Sequence, residues 1–217
     1  MYIVMLGAPG TGKGTIGKIL SKDMNLTHIS TGDIFREQLE KKTVLGKKLE
    51  SYMSKGLLVP DDVVIETIKS RLLEEDVKNG AILDGFPRTA VQAQALRDFL
   101  INYNPEQKRI AIELTIPDEE IIKRVTNRVT CSNKKCGAIY NLETKKPKVS
   151  GVCDICGSNL SKRNDDNEET VKKRLEIYHS NSKELLEFYK KNNVLYTAYS
   201  KKLEETVENI KQYLKSK

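Results

Sequence analysis

No apolar run in this 217-residue chain approaches the ~18 residues that a membrane-spanning helix requires, and 31% of its residues are charged. No membrane span is therefore expected. Residues Met1–Leu6 carry no basic stretch ahead of their apolar run. That argues for a core strand over a secretory leader and leads to the expectation of a cytoplasmic protein. Internal repeats and low-complexity tracts are also lacking, so repeat arrays are excluded. Histidine occurs only twice. His28 sits beside Ile29 and is expected to be a satisfied structural residue, and His179 lies on a charged, solvated helix, so the chemistry rests on other side chains. The formal net charge is +7, from 37 Lys plus Arg against 30 Asp plus Glu. Most lysines are mixed with glutamate, as at Lys172–Lys173 and Lys201–Lys202, which reads as a solvated helical face and not a nucleic-acid footprint. The length suits one domain with insertions or two small domains, enough for a buried core.

The strongest positive feature is Gly7-Ala8-Pro9-Gly10-Thr11-Gly12-Lys13-Gly14-Thr15, directly after the apolar run Tyr2–Leu6. It contains the Gly-x-x-x-x-Gly-Lys core of a phosphate-binding loop at Gly7, Gly12 and Lys13. Gly7, Gly10, Gly12 and Gly14 lack a Cβ, so the backbone can curl and aim several N–H groups at one anion. A helix beginning near Lys13 adds the positive end of its dipole, and the lysine adds a mobile full charge. Periodic Ile16, Ile19 and Leu20 support that helix. The chain is expected to bind a nucleoside triphosphate. The position after the lysine ordinarily carries a Ser or Thr that ligates magnesium. Here it is Gly14, with Thr15 one place later, which points to a subset of these proteins that holds magnesium differently.

Beyond the loop, apolar segments alternate with helical periodicity, the pattern of a parallel sheet covered on both faces. Expected strands are Tyr2–Leu6, His28–Ile29, Ala81–Leu83 ending in Asp84, Ile110–Leu114 and Val194–Tyr196. Leu203, Val207, Ile210 and Leu214 form an apolar stripe on a last helix. Two stretches interrupt the alternation. Residues 31–60 read as helical and polar, with a break at Gly56 and a boundary at Pro60. Residues 129–164 hold all four cysteines with Gly137, Gly151, Gly157 and Pro147, the composition of a small β-rich insert.

Seven cationic side chains lie in or beside segments that can line a phosphate cleft: Lys13, Arg36, Arg88, Arg124, Arg128, Arg163 and Arg174. Phosphoryl transfer needs two phosphate groups held in line and the migrating charge neutralised. Guanidinium groups suit this, because their planar fork binds phosphate oxygens bidentately and stays charged. Taken singly, each arginine is more readily explained by a surface ion pair, so their contexts matter. Ser30-Thr31-Gly32-Asp33-Ile34-Phe35-Arg36 follows one strand, and Asp84-Gly85-Phe86-Pro87-Arg88, with Gln92 a turn later, follows another. Open sheets place ligand groups at such carboxyl ends. Arg163-Asn164-Asp165-Asp166-Asn167 precedes a capped helix that contains Arg174. Asp84 has the position of an acid that holds magnesium, through water.

These motifs, in this order, resemble the adenylate kinase family over essentially the whole chain. The resemblance implies reversible transfer of a phosphoryl group from Mg·ATP to AMP, giving two ADP. It implies a P-loop core (1–30, 61–127 and 165–217), an AMP-binding insert (31–60) and a lid over ATP (128–164). Lys13 and the amides of Gly10, Thr11, Gly12, Gly14 and Thr15 then resemble the ATP phosphate cradle. Arg124 and Arg128 resemble hinge arginines that contact ATP, with Ile139 and Tyr140 near its adenine and a backbone contact near Lys201. The AMP site corresponds to Thr31, Arg36, Leu57, Leu58, Val59, Gly85, Phe86, Pro87, Arg88 and Gln92. Arg163 and Arg174 resemble lid arginines that span both phosphate chains. A glutamine amide suits adenine, accepting from its exocyclic amine and donating to a ring nitrogen. The partners implied are ATP, AMP and ADP, without nucleic acid or membrane, and a monomer is expected.

The cysteines form a second motif. Four residues separate Cys131 from Cys136 and two separate Cys153 from Cys156, the pairs lie sixteen residues apart, and a glycine follows each second cysteine. Such spacing indicates a tetrahedral four-thiolate site, which fits structural Zn2+ because no coordination position stays open. The first gap is wider than the two residues usual in zinc-bearing members of the family, so that knuckle is expected to be looser. A kinase for UMP, CMP or GMP, and an ATP-switched nucleic-acid-binding knuckle protein, are the competing readings. Against the latter, the cysteine segment offers one aromatic residue, Tyr140, for stacking bases.

Overall fold

The computed structural model of the chain describes residues 1–133 and 135–217. Lys134, inside the expected lid, lies outside the described residues. Five parallel strands form the central sheet: β1 Tyr2–Leu6, β2 Thr27–Ser30, β3 Ala81–Asp84, β4 Arg109–Thr115 and, last in the chain, β8 Leu195–Tyr199. Their spatial order is β2-β3-β1-β4-β8, so the strand that feeds the glycine loop is the central one. Every residue of β1 is buried, which explains why it reads as a continuous apolar run without alternation.

The period of two along β1 still decides which face each residue serves. Ile3 and Met5 pack with Ile16 and Leu20 of α1 (Lys13–Met24) and with Val207, Ile210 and Leu214 of α8 (Leu203–Lys215). Tyr2, Val4 and Leu6 face the opposite layer. That layer is built from α2 (Thr31–Glu40), α3 (Val44–Met53), α4 (Asp61–Leu72), α5 (Ala90–Tyr103) and the long α7 (Glu168–Lys191). The expected stripe on the last helix is therefore the stripe that covers the sheet. The α/β class expected from the alternation is the observed one.

Three strands differ from expectation at their ends: β4 gains one residue on each side of Ile110–Leu114, and both edge strands depart as well. β2 extends one residue beyond His28–Ile29 on each side, and β8 runs Leu195–Tyr199 where Val194–Tyr196 was expected. An edge strand is covered less completely, so its polar residues do not register as part of an apolar run. The helical stretch 31–60 behaves as its punctuation implies. Gly56 has a φ of 69°, and α4 starts at Asp61 after Pro60.

A smaller antiparallel sheet, ordered β6-β5-β7, is built from β5 (Arg128–Cys131), β6 (Ile139–Asn141) and β7 (Leu160–Ser161). It follows α6 (Asp118–Thr126) and precedes α7, so both its connections to the large sheet pass through helices that carry arginines. No helix among the described residues is long and apolar enough to cross a membrane.

Candidate active site

Between β1 and α1 the backbone turns through Gly7, Gly10 and Gly12, at φ of 130°, 88° and 100°. A Cβ on Gly7 would lie 2.4 Å from the Leu114 carbonyl oxygen, and one on Gly10 would lie 2.5 Å from Val125 Cγ2. These glycines thus serve both the left-handed backbone and its close approach to β4 and α6. Gly14 is different. It lies inside α1 without a positive φ, and a Cβ there would stand 3.1 Å from Asp84 Oδ2. Its role is space beside the Asp84 carboxylate and not loop curvature, which corrects the sequence-based reading of that position. The missing Ser or Thr therefore has a steric counterpart at the end of β3.

Lys13 Nζ donates to the carbonyls of Gly7 at 2.8 Å and Ala8 at 2.7 Å. Burial pushes this amine down to about 8, with Arg88, Arg174 and Arg128 adding to the effect and Asp84 opposing it. Behind Asp84, His28 packs its imidazole over Gly17, with Nε2 3.9 Å from Asp84 Oδ2. Burial lowers the basicity of His28, and Nε2 has no hydrogen-bond partner among the described residues. The expected satisfaction of His28 is therefore not met at Nε2. His179 is exposed as expected, yet it is paired with Asp118 at 2.8 Å.

Lys13, Arg36, Arg88, Arg124, Arg128, Arg163 and Arg174 all line one large cleft between the two sheets. Most of them are held by carboxylates or carbonyls. Arg128 makes a two-pronged bond to buried Asp166, Arg174 reaches Asp165 at 2.8 Å, and Arg36 reaches Asp33 at 2.5 Å. Arg88 Nε donates to the Gly85 carbonyl at 2.8 Å. Burial pushes Arg163 down to about 10, with Arg36 and Arg128 as neighbouring like charges. Arg124 donates to the carbonyls of Ser200 at 3.0 Å and Lys201 at 3.1 Å, and Ser200 Oγ donates to the Thr11 carbonyl at 2.7 Å. The loop after β8 is thereby tied to both the glycine loop and a cleft arginine, and Lys201 lines the cleft.

A side cavity opens from this cleft. Thr31, Arg36, Leu57, Leu58, Val59, Gly85, Arg88 and Gln92 line it, together with Arg174 and Asp165. Phe86 is 2% exposed and belongs to the core; its side chain is absent from the cavity wall. Pro87, joined to Phe86 by a cis peptide bond, faces the main cleft. Gly85 allows Thr31 to approach: a Cβ there would meet Thr31 Oγ1 at 2.6 Å. Gln92 is buried, and its Oε1 accepts the Arg88 backbone N–H at 2.7 Å. Asp165 and Asp166 belong to a motif that sequence reasoning quoted without giving either acid a role.

In the small sheet, Cys131, Cys136, Cys153 and Cys156 bring their four Sγ atoms within 4.8 Å of one another. Cys131 and Cys156 are 3.4 Å apart, and Cys136 and Cys153 are 3.7 Å apart. A tetrahedron of thiolates about 2.3 Å from a zinc ion has edges of about 3.8 Å, so the donor set and its spacing fit that metal. Gly137 and Gly157 turn the two knuckles at φ of 52° and 72°. Burial alone would raise the Cys153 thiol, but the N–H groups of Ile155 and Cys156 and the Tyr140 hydroxyl bring it down to about 6. Tyr140 is buried among these cysteines, its hydroxyl accepting the Asp154 N–H at 2.8 Å, while Ile139 and Tyr140 both reach the main cleft.

A glycine loop at the head of a central parallel strand, facing an acid on the next strand and ringed by arginines, defines a P-loop enzyme of the nucleotide kinase class. Comparison with known proteins is more specific. The family described as adenylate kinase matches residues 5–194. An adenylate kinase of Caldicellulosiruptor saccharolyticus is 48% identical over 216 residues, 100% of this chain and 98% of the relative. Those of Clostridium tetani (48%, covering 99% of this chain and 98% of the relative) and Thermosipho africanus (49%, covering 91% of each) are similar. The chain belongs to the adenylate kinase family. Its activity is reversible, magnesium-dependent phosphoryl transfer from ATP to AMP, giving two ADP.

Proposed function

We propose that the cleft holds both nucleotides at once, ATP along the glycine loop and AMP in the side cavity. The observation that carries this reading is the convergence of one lysine and six arginines on a single cleft with a branch lined by Gln92. The amides of Gly10, Thr11, Gly12, Lys13, Gly14 and Thr15 cradle the ATP phosphates, and Asp84 holds the magnesium of Mg·ATP through water. Adenine of ATP lies between the backbone of Ile139–Tyr140 and that of Lys201. Thr31, Arg36, Leu57 to Val59, Gly85 to Arg88 and Gln92 take AMP, with Phe86 contributing backbone only. The mobile units are residues 31–60 and 128–164, set on a core of 1–30, 61–127 and 165–217.

The chemistry asks little covalent work of the protein. An AMP phosphate oxygen attacks the γ-phosphorus in line, and the bond from that phosphorus to the β,γ-bridging oxygen breaks. Lys13 leaves the Gly7 and Ala8 carbonyls for the phosphates. Arg88, Arg163 and Arg174 neutralise the charge that moves between the two chains. Closure of both units excludes water, which spares ATP from hydrolysis. The four cysteines hold a structural Zn2+ away from the reacting phosphates, and the chain acts as a cytoplasmic monomer. A coupled assay of ADP formed from ATP plus AMP, compared with ATP plus UMP, CMP or GMP, tests the reading. Comparable rates with another monophosphate would overturn the AMP assignment.

Two outcomes follow from named residues. Gln92→Leu weakens AMP by about 1–3 kcal/mol and leaves ATP unaffected, since a buried amide loses its pairing with one base only. Equal weakening of both nucleotides in steady-state kinetics would place Gln92 outside the AMP site. Lys13 gives a pH signature. Its amine titrates near 8 in the empty protein, and the ATP phosphates return it toward the ordinary lysine value of about 10.4. Between those values ATP binding takes up a proton, so affinity falls as pH rises above 8. Calorimetry in two buffers of different ionisation heat should show uptake of about three-quarters of a proton near pH 8.5 and none near pH 6.5. Identical heats in both buffers at the higher pH would refute it.

A further inference from the structure

The amide of Gln92 is held from two sides by groups that can each do only one thing. The Arg88 backbone N–H donates to Oε1 at 2.7 Å, and Nε2 donates to Asp61 Oδ1 at 2.7 Å. A backbone N–H cannot accept, and a carboxylate cannot donate. The second oxygen of Asp61 accepts from Thr89 Oγ1 at 3.0 Å, and the same hydroxyl accepts the Gln92 N–H at 3.2 Å as the cap of α5. Asp61 is the first residue of α4, directly after Pro60, so it is placed by a helix start on a different element. It is half-buried and stands outside the lining of both the cavity and the main cleft.

We propose that Asp61 is a positioning residue that locks the Gln92 amide in one of its two orientations and so selects 6-aminopurine over 6-oxopurine monophosphates. This rests on the reading of the side cavity as the AMP site. With the outer N–H committed to Asp61 and one lone pair of Oε1 committed to Arg88, the amide presents a fixed remaining pair to the cavity. That pair is one acceptor at Oε1 and one donor at Nε2. A 6-aminopurine offers the complement, a donor at its exocyclic amine and an acceptor at N1. A 6-oxopurine offers the reverse, with an acceptor at O6 and a donor at N1–H. To serve it, the amide must rotate by half a turn, pointing Oε1 at the Asp61 carboxylate and Nε2 at the Arg88 N–H. Both contacts then become like against like in a buried site, which is how a hydrogen-bonding pocket rejects the wrong partner. The discrimination comes from repulsion behind the glutamine as much as from attraction in front of it.

The test compares ATP-dependent phosphorylation of AMP, IMP and GMP by the full-length enzyme and by its Asp61→Asn and Asp61→Ala variants. All three proteins are assayed below the lowest of their melting temperatures. Asparagine keeps the shape of the side chain but can also donate, so it accepts either orientation of Gln92. Expected for Asp61→Asn is a rise of about tenfold in KM for AMP with KM for ATP unchanged, and a rise of at least about tenfold in the IMP-to-AMP ratio of kcat/KM. Asp61→Ala, which adds no donor, shifts the ratio in the same direction. A merely structural Asp61 lowers the melting temperature and slows all three acceptors in proportion, and an unchanged ratio in both variants overturns the proposal. Gln92→Leu separates the two layers of argument. If it weakens AMP selectively while Asp61→Asn leaves the ratio alone, only the locking role fails. If Gln92→Leu spares AMP, the base site itself is misplaced and the locking role falls with it.

Discussion

Replacing Lys13 with methionine is expected to lower turnover by at least about two orders of magnitude without lowering the melting temperature of the empty protein. The two halves of that result have different causes. During transfer, negative charge shifts across the bridging oxygens, and Lys13 is the cation seated on the glycine loop itself. In the empty protein the same charge is unfavourable. Burial pushes the amine down to about 8, and among the described residues its Nζ is hydrogen-bonded only to the carbonyls of Gly7 and Ala8. A lysine that is less basic folded than unfolded costs stability while it is charged, and the cost is relieved as pH rises from about 8 toward the unfolded value of about 10.4. Removing the charge at neutral pH therefore spares or raises the melting temperature, while the stabilisation that ATP confers is reduced. Arg163→Ala should show a loss of turnover of the same order, about two orders of magnitude or more, as for arginines that neutralise transferring phosphates. Steady-state rates and melting temperatures with and without ATP decide both. Near-parental turnover in either variant would remove that residue from the catalytic set.

What could be read in advance follows from how local each signal is. β1 is buried along its whole length and ends in a glycine loop, so strand and phosphate cradle are legible within fifteen residues. The cysteine site is legible because metal ligands come in close pairs, although the wider gap between Cys131 and Cys136 departs from the usual spacing. The cationic residues could be named from their places after strands, but their partners could not. Arg128 finds Asp166 across 38 positions, Gln92 finds Asp61 across 31 and Ser200 finds Thr11 across 189. Those pairings join elements distant in the chain, such as α4 with α5, and exist only once the fold has brought them together. Gly14 shows the same limit. Its neighbour in sequence suggested loop curvature, whereas its neighbour in space, Asp84, supplies the physical reason for a missing side chain.

Withdrawing metal from the small sheet should lower the temperature at which activity is lost while leaving substantial turnover well below it. The reason lies in how little else holds that unit together. Of the apolar residues available to it, Leu142, Val149 and Ile155 are exposed at 48%, 61% and 75%. The cluster that remains is made of Cys131, Cys153 and Tyr140, with Val129, Cys136, Ala138 and Leu160 packed around them. Three of those seven are proposed ligands, so the metal site and the hydrophobic core of this unit are nearly the same object. Without ligation, four thiol groups are gathered within 4.8 Å with few apolar contacts to offset the entropy of ordering the surrounding loops. A metal held by the four thiolates would then supply much of the folding free energy of the unit. Four thiolates leave no open position, so loss of the metal would act on the phosphates only through the placement of Arg128, which opens the middle strand β5, and Arg163, just after β7. Cys153→Ser and treatment with a chelator should both reproduce the effect, and metal analysis of the parent protein should find about one zinc per chain. A metal-free protein of equal thermal stability would reject the structural role. Complete loss of turnover from a unit that stays folded would assign the metal to catalysis instead.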